Sequence, residues 1–426
     1  MTAPTLDDIR DYNPWMHGKK FEVPAFKRQQ YKAVFGALGK KKFIIAITGL
    51  RRVGKTVMLK QMGNELRVDK YFFSFEEDRF ANYNSLKHVI DQFVKWSEKP
   101  VIFLDEIARI EGWAGALKKY HDLGKAIFVI SGSSALHITK GKESLAGRLV
   151  EFVLPPWRFS EYLALKGHKV ETYQLKDIEK AYLKWNHRFE DEIKPFMKKG
   201  SFPELVNENN EEFIKKYIRT TTIDKIIFED IPKTFAIKKT SLLDDILSYV
   251  CKNTGNIIHL SHLGNAFDVS KDTIKEYLYY LKYAYLLELL PTEGSPLKSF
   301  RKPKKAYAIS PSVAYGLMDS YNESMLVENA VFNKLKTETN KLYFYRDSQQ
   351  HEVDFTGTIV VESKWKSTIT RSDLRSLMYY MEKKHIPQAY VVGKTFDVIQ
   401  HNKSTIYIIP LPLFLLSNLQ RTAALG

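Results

Sequence analysis

The stretch IIAITGLRRVGKTVML, residues 44–59, decides the fold class of this chain. It begins with an apolar run typical of a buried strand, and a helix-forming run follows over residues 56–66. Between the two, residues 49–56 match the phosphate-loop pattern G-x-x-x-x-G-K-[ST]. In such a loop the glycines let backbone N–H groups face a polyphosphate, and the N-terminal end of the following helix attracts the same anion. The sequence therefore predicts a nucleotide-binding α/β fold with a parallel sheet.

The loop residues are the predicted contacts to ATP. They are Gly49, Leu50, Arg51, Arg52, Val53, Gly54, Lys55, Thr56 and Val57. Lys55 is expected to reach the β- and γ-phosphates and to assist catalysis there, while Thr56 places its hydroxyl on Mg²⁺. A Gly/Lys loop can arise by chance, but here a strand precedes the motif and a helix follows it. This context favours ATP and Mg²⁺ as the cofactors.

A second apolar strand ends in two acids. Residues 101–104 are apolar, and Asp105 and Glu106 follow them. At the carboxyl ends of parallel strands, a first acid can hold Mg²⁺ through its water shell and a second can orient or deprotonate the attacking water. We assign Asp105 to the metal and Glu106 to the water. The pair favours hydrolysis of ATP over binding alone.

Two further positions complete the predicted ATPase site. The apolar run at 126–130 leads to Ser131, and either this residue or Ser133 is expected to sense the γ-phosphate; a plain turn with a serine cap is the alternative. Arg148 follows a small-residue turn and could act as an arginine finger on a neighbouring subunit, which implies a homo-oligomer. A solvated arginine is the alternative for Arg148.

The composition is that of a globular protein with a strongly basic balance. The 426 residues exceed one ordinary core, and 65 Lys and Arg against 49 Asp and Glu give a net charge of +16. This surplus favours nucleic acid, DNA in particular, as a partner, with a lysine-rich surface as the alternative. A single cysteine excludes an intramolecular disulfide and a cysteine-based zinc site. No apolar run approaches the ~18 residues of a membrane span, and the N-terminus lacks a signal-peptide layout, so we expect a cytoplasmic protein.

The ATPase motifs resemble those of a known family. GLRRVGKT at 49–56, FLDE at 103–106, ISGSSA at 130–135 and ESLAGRLVEFVLPPWRFSEYL at 143–163 look like a large prokaryotic AAA-type ATPase family. The resemblance covers roughly residues 20–235 and includes Glu161 and Glu204 at family positions. It implies ATP binding, together with a C-terminal domain whose function in the family is poorly defined.

The chain reads as four parts. They are a P-loop ATPase core at 1–155, a helical lid at 156–235, a winged helix at 236–292 and a restriction-endonuclease-like domain at 293–426. In the third part, residues 260–270 resemble the start of a helix-turn-helix, and the next helix is expected to expose polar residues to DNA or to a protein. Residues 291–305 are the predicted linker. Its basic residues form a candidate phosphate-contacting strip, with a solvated loop as the alternative: Lys298, Arg301, Lys302, Lys304 and Lys305.

The C-terminal part contains Asp354 followed by the pattern Glu362-Ser-Lys364. Alternate residues of a strand share a face, so Glu362 and Lys364 are expected side by side, near Asp354 and near Glu328 of an upstream helix. Acids that hold Mg²⁺ and a lysine that stabilises charge or positions water are what a phosphodiesterase needs. The arrangement resembles the restriction-endonuclease-like nuclease fold. It implies metal ligands at Glu328, Asp354 and Glu362, and catalytic roles for Asp354, Glu362 and Lys364.

The sequence thus supports two classes of function. The first is an ATP-hydrolysing protein that acts on DNA, with Mg²⁺-dependent cleavage of branched or recombining DNA as a further activity. The second is an ATP-dependent interaction switch whose nuclease-like domain is an inert docking surface, since this fold can lose its activity and keep its shape. DNA binding that weakens steeply with salt would favour the first class.

Overall fold

The computed structural model describes residues 3–132, 144–185, 187–235, 237, 239–294 and 303–419. Contacts divide the chain into two compact units. The first unit comprises residues 1–156, 229–236 and 283–285, and the second comprises residues 157–228, 237–282 and 286–426. The predicted division into four parts stays a prediction.

A five-stranded parallel sheet forms the centre of the first unit. Its strands are β1 Ile44–Thr48, β2 Lys70–Ser74, β3 Val101–Asp105, β4 Ile127–Gly132 and β5 Leu149–Val153. Their order is β2-β3-β4-β1-β5, and every neighbouring pair is parallel. The strands β1, β3 and β4 are buried along their whole length, as expected for a sheet covered on both faces. The predicted α/β fold with a parallel sheet is confirmed.

Helices complete the first unit. They are α1 Leu6–Asp11, α2 Tyr31–Gly39, α3 Lys55–Glu65, α4 Tyr83–Trp96 and α5 Trp113–Asp122, with 3₁₀ turns at Pro14–His17 and Ile107–Arg109 and a short helix at Ile231–Thr234. The helix α4 shows why the sequence folds in this way. The Asn82 side chain accepts a hydrogen bond from the Ser85 N–H and caps the helix, and Leu86, Ile90 and Phe93 line its buried face.

The described residues of the second unit form three sheets. Its strands are β6 Tyr173–Gln174, β7 Ile257–Ile258, β8 Leu287–Pro291, β9 Lys304–Ala308, β10 Leu342–Arg346, β11 Glu352–Gly357, β12 Val361–Ser363, β13 Gln388–Gly393, β14 Asp397–His401, β15 Ser404–Pro410 and β16 Ser417–Asn418. The largest sheet is mixed, in the order β10-β11-β12-β13-β15-β14. An antiparallel sheet has the order β7-β9-β8, and β16 pairs with β6.

Helices surround these sheets. They are α6 Phe159–Leu165, α7 Ile178–Trp185, α8 Ile193–Lys199, α9 Glu211–Ile218, α10 Thr240–Lys252, α11 Leu260–Ala266, α12 Lys271–Tyr283, α13 Pro311–Leu317, α14 Glu323–Glu338, α15 Arg375–Lys384 and α16 Leu411–Leu416. Short 3₁₀ turns lie at Leu175–Asp177, Glu190–Glu192, Pro203–Leu205 and Arg371–Leu374. After α9 the chain continues in two π-helical segments, Arg219–Ile223 and Lys225–Asp230. Such segments are rare and often occur at functional sites.

The predicted linker at 291–305 is wrong at both of its ends. Pro291 lies in β8 and Lys304 and Lys305 lie in β9, and these two strands pair antiparallel, with Pro291 opposite Lys304. Lys305 is buried, so it does not belong to a solvated phosphate-contacting strip. Lys298, Arg301 and Lys302 lie outside the described residues.

Among the residues that the structure describes, no helix has both the length and the apolar character that crossing a membrane requires.

Candidate nucleotide site and C-terminal acidic cluster

The loop after β1 adopts a conformation that requires glycine at two positions. Gly49 has a φ of +139°, and a Cβ there would lie 2.3 Å from the Leu154 carbonyl oxygen. Gly54 has a φ of +97° and is the residue before α3, and a Cβ there would meet nothing within 4 Å. Between them, the Arg52 backbone is also left-handed and its side chain is exposed. The loop is therefore held tightly at its start and faces open space at its end, where a phosphate needs room.

Lys55 is the first residue of α3, and its ammonium group lies inside the loop. Nζ donates hydrogen bonds to the carbonyl oxygens of Gly49 at 3.0 Å and Leu50 at 2.9 Å. Burial lowers the pKa of Lys55, while the carboxylates of Glu106 and Asp105 oppose this shift. The ammonium group is thus held in the loop that a polyphosphate would enter.

Three polar side chains predicted from separate strands and loops meet beside Lys55. The Thr56 hydroxyl donates to Asp105 Oδ2 at 2.8 Å, and the Ser131 hydroxyl donates to Asp105 Oδ1. Burial, together with the charge of Glu106, raises the pKa of Asp105, and the hydrogen bonds from Ser131 and Thr56 oppose this rise. The side chains that follow β1, β3 and β4 thus lie together at one edge of the sheet, as expected. The role of each residue stays a prediction. Ser133, the other candidate sensor, lies outside the described residues.

Glu106 follows Asp105 in a left-handed conformation, with a φ of +53°. Its N–H donates to Ser131 Oγ at 3.3 Å, and its side chain is only partly buried. A non-glycine residue rarely adopts this backbone conformation. The turn therefore places Glu106 just beyond the end of β3. Its role toward the attacking water stays a prediction.

An ion pair that sequence reasoning missed holds the middle of the loop. Arg51 donates from Nε to Asp230 Oδ2 and from Nη2 to Asp230 Oδ1, both at 2.7 Å. Both side chains are largely buried. Burial alone would lower the pKa of Arg51, but the hydrogen bonds and the charge of Asp230 outweigh it and raise the pKa. No local signal could have found this partner, because the two residues are 179 positions apart.

A second missed residue, Arg28, supports the loop from the N-terminal segment. It is buried, and it donates from Nη1 to the Val53 carbonyl oxygen at 2.6 Å and from Nη2 to the Pro155 carbonyl oxygen at 2.8 Å. Val53 itself is fully buried, and Val57, in the first turns of α3, is partly buried. Val53 and Val57 thus contribute shape to the loop and not charge.

Arg148 lies at the amino-terminal ends of the strands, whereas the phosphate loop lies at their carboxyl ends. Its carbonyl oxygen accepts a hydrogen bond from the Ile44 N–H at 2.8 Å, at the start of β1, whereas the loop follows the end of β1. Its side chain donates from Nε to Asp122 Oδ1 at 2.6 Å. This position is inconsistent with contact to the nucleotide of its own chain. Action on another subunit's nucleotide stays a prediction.

The residues of the first unit fit Mg²⁺ and ATP. The Thr56 hydroxyl and the Asp105 carboxylate already touch, and both are oxygen ligands of the kind that Mg²⁺ prefers. The open space at Gly54 and the ammonium of Lys55 suit phosphate oxygens. These four residues would hold the metal and the phosphates.

The C-terminal residues Asp354, Glu362 and Lys364 also come together. Lys364 Nζ lies 2.7 Å from Glu362 Oε1. The Asp354 N–H donates to Glu362 Oε2 at 3.1 Å, and the Ser363 N–H donates to Asp354 Oδ2 at 3.0 Å. Burial and the charge of Asp354 raise the pKa of Glu362. The expected side-by-side arrangement at the end of β12 is therefore present in the structure.

Lys305, which sequence reasoning assigned to the linker, lies within this acidic cluster. Its Nζ is 2.9 Å from Asp354 Oδ1, 2.9 Å from Glu352 Oε1 and 3.5 Å from Glu328 Oε1. Glu328 also accepts a hydrogen bond from the Tyr307 hydroxyl at 2.8 Å, and burial raises its pKa. In the described ranges no group of three or more Asp, Glu, His or Cys side chains is arranged to hold a metal ion. As arranged, Glu328, Asp354 and Glu362 do not fit a metal, because an ammonium group lies against two of the three.

Three families match successive parts of the chain. The AAA domain matches residues 41–163, and two domains of unknown function, DUF8612 and DUF4143, match residues 190–322 and 323–414. The AAA match covers both motifs of the nucleotide site. It supports an AAA-type ATPase, whose fold implies nucleotide binding.

Similar proteins occur in archaea. The uncharacterized protein MJ1544 of Methanocaldococcus jannaschii is 30% identical over 324 residues, which cover 73% of this chain and 71% of that protein. MJ1637 of the same organism is 24% identical over 349 residues, covering 77% and 72%. Among solved structures, a Walker-type ATPase of Pyrococcus abyssi aligns with a TM-score of 0.44 and 12% identity, over 70% of this chain and 98% of that one.

Proposed function

Because this chain belongs to the same family as MJ1544 and carries an AAA domain, we propose that it binds and hydrolyses ATP with Mg²⁺ and couples this cycle to action on DNA. One observation carries the ATPase part of the proposal. Thr56, Asp105 and Ser131 are joined by hydrogen bonds beside the buried ammonium of Lys55. A structural turn alone would not need a lysine, two acids and two hydroxyls at one sheet edge.

Each residue then has a defined task. When ATP binds, Lys55 exchanges its bonds to the loop carbonyls for bonds to the β- and γ-phosphates. Its positive charge is already inside the loop before the phosphates arrive. Thr56 and Asp105 would hold Mg²⁺, and the ion would supply positive charge to the phosphates when bound. Glu106 orients the attacking water and accepts its proton, and Ser131 keeps Asp105 ionised and in place.

The DNA part of the proposal is supported by charge and by the order of elements at 240–308. The net charge of +16 suits a polyanion. The elements α10, β7, α11, α12, β8 and β9, with the antiparallel sheet order β7-β9-β8, are those expected of a winged helix. On α12, Lys271, Lys275 and Tyr279 are exposed. Affinity for duplex DNA, measured from low to high salt, is expected to fall steeply; an affinity that is indifferent to salt would contradict a DNA partner.

Cleavage of branched or recombining DNA by a nuclease-like C-terminal domain is the further activity that we propose to test. The proximity of Asp354, Glu362 and Lys364 favours cleavage, whereas the ammonium group of Lys305 against Asp354 opposes a metal ion there. The test is cleavage of labelled duplex, single-stranded and four-way-junction DNA with Mg²⁺ or Mn²⁺, with and without ATP. Cleavage that Asp354→Ala abolishes would support a nuclease.

The second candidate function is an ATP-dependent interaction switch with an inert docking domain. The observation that favours it is Lys305, whose ammonium group lies against Asp354 and Glu328. With no cleavage of any of these substrates and DNA binding intact, the chain would be an ATPase with a binding module.

A further inference from the structure

The ammonium group of Lys305 is one of the most completely enclosed charges in the described second unit. Its side chain is 4% exposed, and it stands on β9 with three carboxylates around it, those of Asp354, Glu352 and Glu328. A buried charge is tolerated only when it is paired and hydrogen-bonded. A lysine ammonium has three N–H donors, and here it has three carboxylate neighbours.

The charges in and around the cluster are closely matched. Glu362 pairs with Lys364 at 2.7 Å, and Glu352 pairs with Arg346 at 3.3 Å as well as with Lys305. The four carboxylates of Glu328, Glu352, Asp354 and Glu362 therefore face three cationic side chains. Tyr307 satisfies Glu328 with a further hydrogen bond. Each acid has a partner within the chain, and none depends on a metal ion for one.

A divalent metal would need the same oxygens. Mg²⁺ requires oxygen ligands at about 2.0–2.1 Å in near-octahedral geometry. Asp354 Oδ1 already accepts from Lys305, and Asp354 Oδ2 accepts from the Ser363 N–H. A metal at Asp354 and Glu328 would therefore lie next to the ammonium group of Lys305, and the two positive charges would repel each other.

We propose that Lys305 is a built-in counter-ion, which occupies the position that a divalent metal takes in a nuclease-like site and keeps the acidic cluster metal-free. A divalent cation binds there only when the ammonium group is removed or displaced. The counter-ion role of Lys305 is separate from the proposed ATPase activity and holds whether or not the chain hydrolyses ATP. It also gives a physical reason for the interaction-switch alternative.

Replacing Lys305 by methionine tests the proposal, because methionine keeps the length and apolar stem of lysine without the charge. Asp354, Glu352 and Glu328 are then left without their shared cation, and a metal ion becomes the available substitute. Lys304→Met is the matched control. It removes the same charge from the adjacent position of β9, whose side chain points to the opposite face and is partly exposed.

The measurement is the binding of Mn²⁺ to the nucleotide-free full chain, from the electron paramagnetic resonance signal of free Mn²⁺. We expect wild type and Lys304→Met to show no Mn²⁺ site that depends on Asp354. Lys305→Met should gain one site, which the added change Asp354→Asn removes. The melting temperature of Lys305→Met should fall below that of Lys304→Met and rise again with saturating Mn²⁺. Any response of wild type to Mn²⁺ should be equal to that of Asp354→Asn.

If Lys305→Met fails to fold, the comparison of Mn²⁺ binding by wild type and Asp354→Asn still tests whether the cluster is metal-free. Equal Mn²⁺ binding by wild type and Asp354→Asn supports a metal-free cluster. An Mn²⁺ site in wild type that Asp354→Asn abolishes would overturn the proposal. A folded Lys305→Met that gains no Mn²⁺ site would overturn it as well.

Discussion

The guanidinium group of Arg51 and the carboxylate of Asp230 form a two-point ion pair, with both N–O distances at 2.7 Å. Arg51 lies in the middle of the phosphate loop, and Asp230 ends a π-helical segment. The planar fork of arginine matches a carboxylate in this geometry and fixes direction as well as distance. The conformation of the loop is therefore set in part by a residue far away in the chain.

Asp230→Asn should destabilise the protein. It leaves the largely buried guanidinium of Arg51 without its charged partner, and we expect the free energy of unfolding to fall by on the order of 2 kcal/mol. Chemical denaturation measures this loss. Asp7→Asn is the control, because the Asp7–Arg10 pair is exposed and should change stability by less than about 0.5 kcal/mol. Equal effects of the two substitutions would show that the Arg51 pair does not hold the loop.

Glu106→Gln should separate ATP binding from hydrolysis. The amide keeps the size of the side chain but cannot accept a proton, so turnover should fall by about 10²- to 10⁴-fold while ATP affinity is kept. Steady-state hydrolysis and equilibrium binding are measured on the same preparation, with Glu111→Gln, an exposed nearby residue, as control. Turnover at the wild-type rate in Glu106→Gln would remove Glu106 from the mechanism.

Ser131→Ala should shift the acid limb of Mg²⁺-dependent ATP binding. The Ser131 hydroxyl donates to ionised Asp105 and opposes the rise in the pKa of Asp105 that burial causes. Without this bond the pKa rises further, and Asp105 becomes protonated, and a poorer metal ligand, at a higher pH. Binding should therefore be lost about one pH unit earlier on acidification and be unchanged at pH 8. An acid limb identical to that of wild type would mean that Ser131 does not control this carboxylate.

Arg148→Ala tests action between subunits. Because Arg148 lies at the far edge of its own sheet, an arginine finger must come from another chain, and its loss should lower turnover by about 10³-fold. A mixture of Arg148→Ala with Lys55→Ala should recover part of the activity, since one chain supplies an intact site and the other an intact arginine. Unchanged turnover in Arg148→Ala would instead identify a solvated arginine paired with Asp122.

The features that sequence predicted well are local ones. The strands β1, β3 and β4 were expected from apolar runs, and α3 from the residues after the loop, because burial and helix formation depend on neighbours in the chain. The meeting of Thr56 with Asp105 followed from a general property of parallel sheets, whose carboxyl ends share one edge.

The features that sequence missed are partners distant in the chain. Asp230 is 179 positions from Arg51, and Asp354 is 49 positions from Lys305. Lys305 stands in a basic stretch and looked like a surface residue, but the pairing of β8 with β9 points its side chain inward. The alternation along β9 that decides this orientation is only defined once the strand and its register are known.

ATP turnover by wild type and by Lys55→Ala, with ATP binding measured beside it, tests the central claim most directly. The ammonium of Lys55 lies inside the phosphate loop and donates hydrogen bonds to two of its carbonyl oxygens. We predict Mg²⁺-dependent hydrolysis by wild type, and the loss of both tight ATP binding and turnover in Lys55→Ala. Turnover that is unchanged in Lys55→Ala would contradict the assignment of this loop as the ATPase site.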